Sequence, residues 1–249
     1  MENIKNTRTE HDLLGTRELP ADALYGIQTL RGIENFSISK FKLQDYPLFI
    51  HGLAYTKLAA AKANNALGLV SDEQLKSIEA ACKDILDGKY HDQFQVDMIQ
   101  GGAGTSTNMN ANEVIANIAL LHLGKKAGEY EFCSPHDTIN RSQSTNDAYP
   151  TAIHMGLYAS HLKFLPHLEA LIEALQKKGD EFAHIIKMGR TQLEDAVPMR
   201  LGQTFHSYAT MISRDHDRLT KVRTEMYPVN MGATAIGTAI NTSPFYLDN

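Results

Sequence analysis

The stretch LPHLEALIEALQKKGDEFAHII, residues 165–186, decides the fold. Leu165, Leu168, Ile172, Leu175, Phe182 and Ile186 recur at intervals of 3, 4, 3, 7 and 4. That is the apolar stripe of a long helix, and the spacing predicts one over 151–187. Pro166 lies inside it and predicts a kink, because proline removes one backbone donor and crowds the preceding turn. A second stripe runs through 199–227: Leu201, Phe205, Tyr208, Ile212, Leu219, Val222 and Met226, at intervals of 4, 3, 4, 7, 3 and 4. Two such helices cannot bury both stripes on each other. They belong in a bundle with further helices, from the same chain or from another copy. The final NTSPFYLDN supplies no such helix. The expectation is an oligomer, a truncated chain, or both.

Working towards the N-terminus, 48–67 is rich in Ala and Leu and reads as helix. Ser71 followed by Gln74 is a capping-box pattern, opening a helix to Leu86 that Gly88 stops. A further helix fits 108–123, ended by Gly124. Residues 1–47 read as irregular, broken at Gly15, Pro20, Gly26, Gly32 and Pro47, with room for short strands. The fold expected is mainly α. An N-terminal helical domain over 1–146 would be followed, over 147–249, by the first long helices of a central helical bundle.

Composition narrows the function. The 249 residues carry a net charge of −5, which argues against a nucleic-acid partner, since phosphate binding needs a basic surface. No run reaches about 18 uninterrupted apolar residues, so no membrane span is expected. The opening MENIKNTRTEHDLLG is polar and does not read as a secretory leader. Cys82 and Cys133 are isolated thiols that suit a reducing cytosol, so a cytoplasmic location is expected. Neither H-E-x-x-H nor C-x-x-C occurs, and no metal site is expected. His154, His161 and His167 lie along one predicted helix and read as surface or core-edge residues.

Three polar segments carry the chemistry. In QGGAGTSTNMNANE, 100–113, Gly101, Gly102 and Gly104 let the backbone turn tightly, and Thr105, Ser106 and Thr107 lead into a helix. Neither G-x-x-x-x-G-K-[ST] nor G-x-G-x-x-G fits. A capped glycine turn and an anion site at a helix start both remain open. In RSQSTNDAYPT, 141–151, Ser144, Thr145, Asn146 and Asp147 are all good caps, and Pro150 suits an early helical turn. One cap needs one such residue; the excess suits a small carboxylate. In KMGRTQLEDAVPMRLGQ, 187–203, the plain reading is a polar loop joining the two long helices. Arg190, Thr191 and Gln192 equally suit a carboxylate. All three segments offer neutral donors, the groups that stabilise a developing oxyanion without a cofactor.

Together these segments resemble the aspartase/fumarase superfamily, most closely its aspartase branch. GGAGTSTNMN, QSTNDAYPT and GRTQLEDAVPM are similar to its three signature regions. DLLGTRELPADALYGIQTLRGIENF and VNMGATAIGTAINT extend the likeness over 12–243, in order and spacing. The resemblance implies a mostly helical homotetramer whose active sites draw on three subunits, acting on L-aspartate and fumarate. A base removes a C3 proton, an aci-carboxylate forms, and ammonia leaves. Carried over, Thr105, Ser144 and Thr145 grip the carboxylate that becomes the dianion, with Ser106 beside them. Asn146 lies near the amino group, and Thr191 and Gln192 face the other carboxylate or the amine. No cofactor is required; activation by a divalent metal, as in some aspartases, is left open.

GRTQ replaces the GRTH of fumarases, and GAGTS replaces GSGTQ. Losing an imidazole suits expulsion of ammonia, which needs less proton help than hydroxide. Class II fumarate hydratase is the alternative. A second anion site marked in fumarases by H-P-N-D is matched here by Ser134-Pro135-His136-Asp137. Arg17 and Arg31 either act on substrate or brace the N-terminal segment. The family's catalytic Ser, on G-S-S-x-M-P-x-K-x-N, is not found in these residues. The chain is therefore expected to be the N-terminal half of a working enzyme and inactive alone. The other reading is a short non-catalytic module that binds dicarboxylates or assembles with full-length subunits.

Overall fold

The computed structural model describes residues 6–248; of the polar opening stretch, residues 1–5 lie outside them, as does Asn249. The chain divides into two compact units: Met1–Leu157 with Pro228–Asn249, and Tyr158–Tyr227.

In the first unit, strands β1 (Thr7–Asp12) and β2 (Gly15–Pro20) form an antiparallel hairpin, with Thr7 opposite Pro20 and Asp12 opposite Gly15. Helices α1 (Ile27–Asn35), α2 (Pro47–Ala66), α3 (Asp72–Leu86) and α4 (Thr105–His122) follow. The predicted capping box of α3 is formed in both directions: Ser71 Oγ accepts from the Gln74 N–H, and Gln74 Oε1 from the Ser71 N–H. Helix α4 starts three residues earlier than expected, because Gly104 takes the N-cap position in the left-handed region. It is the centre of this unit, buried from Thr107 to Leu120. Val114, Ile115 and Ile118 join Leu53 and Ala61 of α2 and Ile78 and Ile85 of α3 in one core.

Helix α4 also buries polar groups, each given a partner as burial requires. Asn110 Nδ2 donates to Gln93 O and Asn117 Nδ2 to Leu24 O, so both amides pin loops to the core. The Glu113 carboxylate accepts the N–H groups of Gly26, Gln28 and Thr29, the start of α1. Glu10 adds a bond from the Ile27 N–H. A helix start attracts negative charge, so two carboxylates anchor α1. Burial nevertheless pushes the Glu113 carboxyl up to about 7.

Helix α5 (Thr145–Glu181) begins in the first unit and continues into the second without interruption at Pro166. It starts at Thr145 rather than 151, so Pro150 falls in its second turn. Its early turns lie against α2 so closely that a Cβ on Gly52 would overlap the Ala152 carbonyl.

In the second unit, the predicted polar loop is instead a hairpin of β3 (Ile186–Thr191) and β4 (Glu194–Arg200). Both strands are largely exposed, so they lack the apolar alternation that marks a strand in sequence. Gln192 and Leu193 form its two-residue loop, both with positive φ, 50° and 71°. Such mirror-image turns match the twist of paired strands. Helix α6 (Leu201–Val222) follows, continued by a 3-10 turn to Met226. The Phe182 ring, just past the end of α5, lies 5.3 Å from the Phe205 ring of α6. Leu168 is buried, but Leu171, Tyr208, Met211 and Val222 remain exposed, so much of the apolar surface of this helix pair is uncovered.

Candidate active site

Two helix starts meet in the first unit. The glycine loop 101–104 turns into α4, and α5 begins beside it. Gly104 has φ 92°, and a Cβ there would overlap the Tyr149 ring. Only glycine allows both the backbone conformation and that approach. An open pocket of about 520 Å³ lies between Gly102–Gly104 and Asn146, Tyr149, Pro150 and Ile153.

The cap of α5 divides its polar residues by task. Ser144 Oγ accepts from the Asn146 N–H at 3.2 Å, and Asp147 Oδ1 accepts from the Ser144 N–H at 2.9 Å. This is a variant of the capping box: Asp147 stands where Glu or Gln is usual, and the serine accepts from the second helical N–H rather than the third. Thr145 Oγ1 accepts from Asn108 Nδ2 at 3.2 Å. With that lone pair engaged, the hydroxyl hydrogen is directed elsewhere. Asn108 lies one turn beyond Thr105, so this bond ties the two helix starts together. Thr105 is exposed, while Ser106 turns towards α1, its Oγ 3.3 Å from where a Gly32 Cβ would stand.

Behind this junction lies Lys57, completely buried on α2. Its Nζ donates to Asn108 Oδ1 at 2.6 Å, Gln143 Oε1 at 2.8 Å and Asn140 Oδ1 at 3.0 Å. Burial pushes the amine down to about 7, and the Asp147 charge pulls it back up. Three carbonyl oxygens match the three N–H donors of an ammonium. A neutral amine would turn its lone pair against one of them, so the geometry favours the charged form. Polarisation can then pass from Lys57 through the Asn108 amide to the Thr145 hydroxyl.

Thr105, Ser106, Ser144, Thr145 and Asn146 thus gather in one unit. Thr191 and Gln192 belong to the other, exposed at the end of the β3–β4 hairpin. Arg31 forms a two-bond pair with Asp12, 2.7 Å at each contact, and Arg17 reaches Glu34 at 3.4 Å. Both brace the N-terminal hairpin against α1. Ser134 Oγ accepts the N–H groups of His136 and Asp137, so the stretch matching the second anion motif carries its own cap. His154 bonds Pro228 O and His161 bonds Leu219 O. Among the described residues no three His, Cys, Asp or Glu side chains gather as a metal site. No helix among them is long and apolar enough to cross a membrane.

Sequence reasoning missed Lys57, Asn108 and the roles of Asn140 and Gln143. A signal existed for Lys57. It continues the apolar line Ile50, Leu53, Ala54, Ala61 of α2, where a solvated lysine has no place.

Residues 15–248 match the family described as Lyase. The chain is 54% identical over 247 residues to the aspartate ammonia-lyase of Pseudomonas aeruginosa, covering 99% of this chain and 52% of that protein. It is 55% identical over 240 residues to the aspartate ammonia-lyase of Helicobacter pylori, covering 96% and 51%. Among solved structures, a fumarate lyase:delta crystallin from Brucella melitensis bound to cobalt superposes with a TM-score of 0.92 at 51% identity, over 98% of this chain and 53% of that one. A class II fumarase from Schistosoma mansoni superposes with a TM-score of 0.85 at 32% identity, over 97% and 50%. The chain spans about half the length of the curated relatives it matches. With two of its three signature segments at adjoining helix starts and a family match over nearly its whole length, the chain belongs to the lyase family of the aspartase/fumarase superfamily.

Proposed function

We propose that this chain is the N-terminal half of an aspartate ammonia-lyase, which reversibly eliminates ammonia from L-aspartate to give fumarate. The observation that carries the reading is the relay from buried Lys57 through Asn108 to the Thr145 hydroxyl, set at two helix starts. Removing the C3 proton places a second negative charge on the adjoining carboxylate. Donors already in place stabilise that charge without having to reorganise. Thr105, Ser144 and Thr145 are assigned to this carboxylate, with Ser106 supporting the α4 start, and the dipoles of α4 and α5 act in the same direction. Asn146 is assigned to the amine, and Thr191 and Gln192, from a hairpin, to the remaining carboxylate or the amine. The base is assigned to the Ser loop that the resemblance implies, outside these residues.

Ammonium leaves without a strong general acid, which suits the neutral Gln192. The reading includes a cytoplasmic homotetramer with sites shared between subunits and no required cofactor; whether a divalent cation activates it is a matter for titration. Identity of 49–55% to several aspartate ammonia-lyases supports the substrate assignment.

The test is Thr145→Val in the protein expressed from its whole gene, with fumarate followed by ultraviolet absorbance. Loss of one oxyanion donor lowers kcat by about 100-fold or more, roughly 3 kcal/mol, with an unchanged circular dichroism spectrum. An unchanged kcat removes Thr145 from the mechanism. Faster formation of malate from fumarate than of fumarate from aspartate overturns the substrate assignment.

A further inference from the structure

The segment 230–241 returns to the start of α5 and is fastened to it by four hydrogen bonds. Gly232 N and Thr234 N donate to Asp147 Oδ2 at 3.2 and 2.9 Å. Asn230 Nδ2 donates to the Asn146 carbonyl at 3.0 Å. That carbonyl would ordinarily accept from the N–H four residues on, but position 150 is proline and has none. Asn146 Nδ2 donates to Ala235 O at 2.7 Å. Asp147 is completely buried, and its other oxygen closes the α5 capping box. One carboxylate therefore joins the cap to the returning segment.

This arrangement settles which way the Asn146 amide faces. A main-chain carbonyl only accepts, so the side-chain NH2 must meet Ala235 O with one of its two N–H groups, and Oδ1 is the acceptor the amide offers a ligand. An exposed amide oxygen binds a donor. It suits an ammonium and repels a carboxylate. Thr234, with φ 61°, is buried in the turn that aims Ala235 O at this amide.

We propose that Asp147 is a positioning residue: by holding segment 230–241 against α5, it orients the Asn146 amide so that Oδ1 receives the substrate ammonium. The inference rests on the aspartate reading given above and deepens it. Asp147 touches no substrate. It makes the site selective for a dicarboxylate bearing an amine over one without.

The experiment compares Asp147→Asn with the wild type in the protein expressed from its whole gene. An amide at 147 cannot accept from both the cap and the segment, since one of its two ends donates. The readouts are KM for L-aspartate and the inhibition constant of succinate, a dicarboxylate with no amine. KM for aspartate is expected to rise by about tenfold more than the succinate constant, the loss of one hydrogen bond to a charged group. Asn230→Ala, an exposed and milder change, is expected to show the same difference at about threefold, and it decides the matter if Asp147→Asn does not fold. Equal shifts for the two ligands, or no shift, overturn the proposal, because a purely structural role weakens both alike. A wild type inactive on aspartate overturns the functional reading as well; an active wild type with equal shifts overturns only this inference.

Discussion

Replacing Lys57 by Met separates the two roles of a buried cation. The ammonium is held at about 7 rather than 10.5, so its burial costs on the order of 5 kcal/mol. Methionine removes that cost and fills similar volume. It also removes a donor from three oxygens. Asn140 Oδ1 keeps the amides of Asn108 and Asn112 as partners. Asn108 Oδ1 and Gln143 Oε1 lose the Lys57 bond, at about 1–3 kcal/mol each, roughly 2–6 kcal/mol together. The two sides cancel to within a few kcal/mol, so the melting temperature should move by only several degrees. Activity should not be spared. Without Lys57 the Asn108 amide is held only through its Nδ2 bonds to Asn140 and Thr145, and the Thr145 hydroxyl loses the polarisation of the cation. In the protein expressed from its whole gene, kcat for aspartate should fall by about 10- to 100-fold, less than for outright removal of the Thr145 hydroxyl. Thermal melting and steady-state fumarate production on the same preparation are the two measurements. A folded variant with wild-type kcat would refute the relay.

Gly104→Ala puts a side chain at φ 92° and into the Tyr149 ring. It should cost about 2–5 kcal/mol, combining the left-handed conformation with overpacking, read as a lower urea midpoint and a raised KM. Glu113 gives a pH signature. Its folded carboxyl lies at about 7 against 4.5 for the unfolded group, so the carboxyl lends stability below pH 4.5 that is lost as pH rises to about 7. Glu113→Gln abolishes this titration; relative to the wild type it should gain about 3 kcal/mol between pH 4.5 and 7 in urea melts, and parallel curves would contradict the assignment.

The legible parts of the fold were those with local causes. Helix α3 announces itself through Ser71 and Gln74, and α2 through its Ala-rich run, because caps and helix formers act within a few residues. The hairpin of β3 and β4 did not, since neither strand face is buried and its loop uses Gln192 and Leu193 where Asn or Gly would have marked the turn. Pro150 misled by one turn. Its missing donor is harmless there because Asn230, 84 positions beyond Asn146, donates to the Asn146 carbonyl that the proline leaves free. The site follows the same rule. Thr105, Ser144 and Thr145 were visible as hydroxyls crowded at helix entrances. Lys57 and Asp147 act through partners brought close only by folding, and local spacing carries no trace of such pairs.

The returning segment has a consequence for biogenesis. Gly232 and Thr234 meet Asp147 across 85 and 87 residues. At translation rates of roughly 5–20 residues per second, the helix start must wait on the order of ten seconds for its clasp to leave the ribosome. During that interval the intervening unit emerges first, and the nascent pocket holds its hydroxyls without a fixed geometry. Recognition of the ligand is thus among the later properties these residues acquire, because the closing contacts reach back across more than eighty positions.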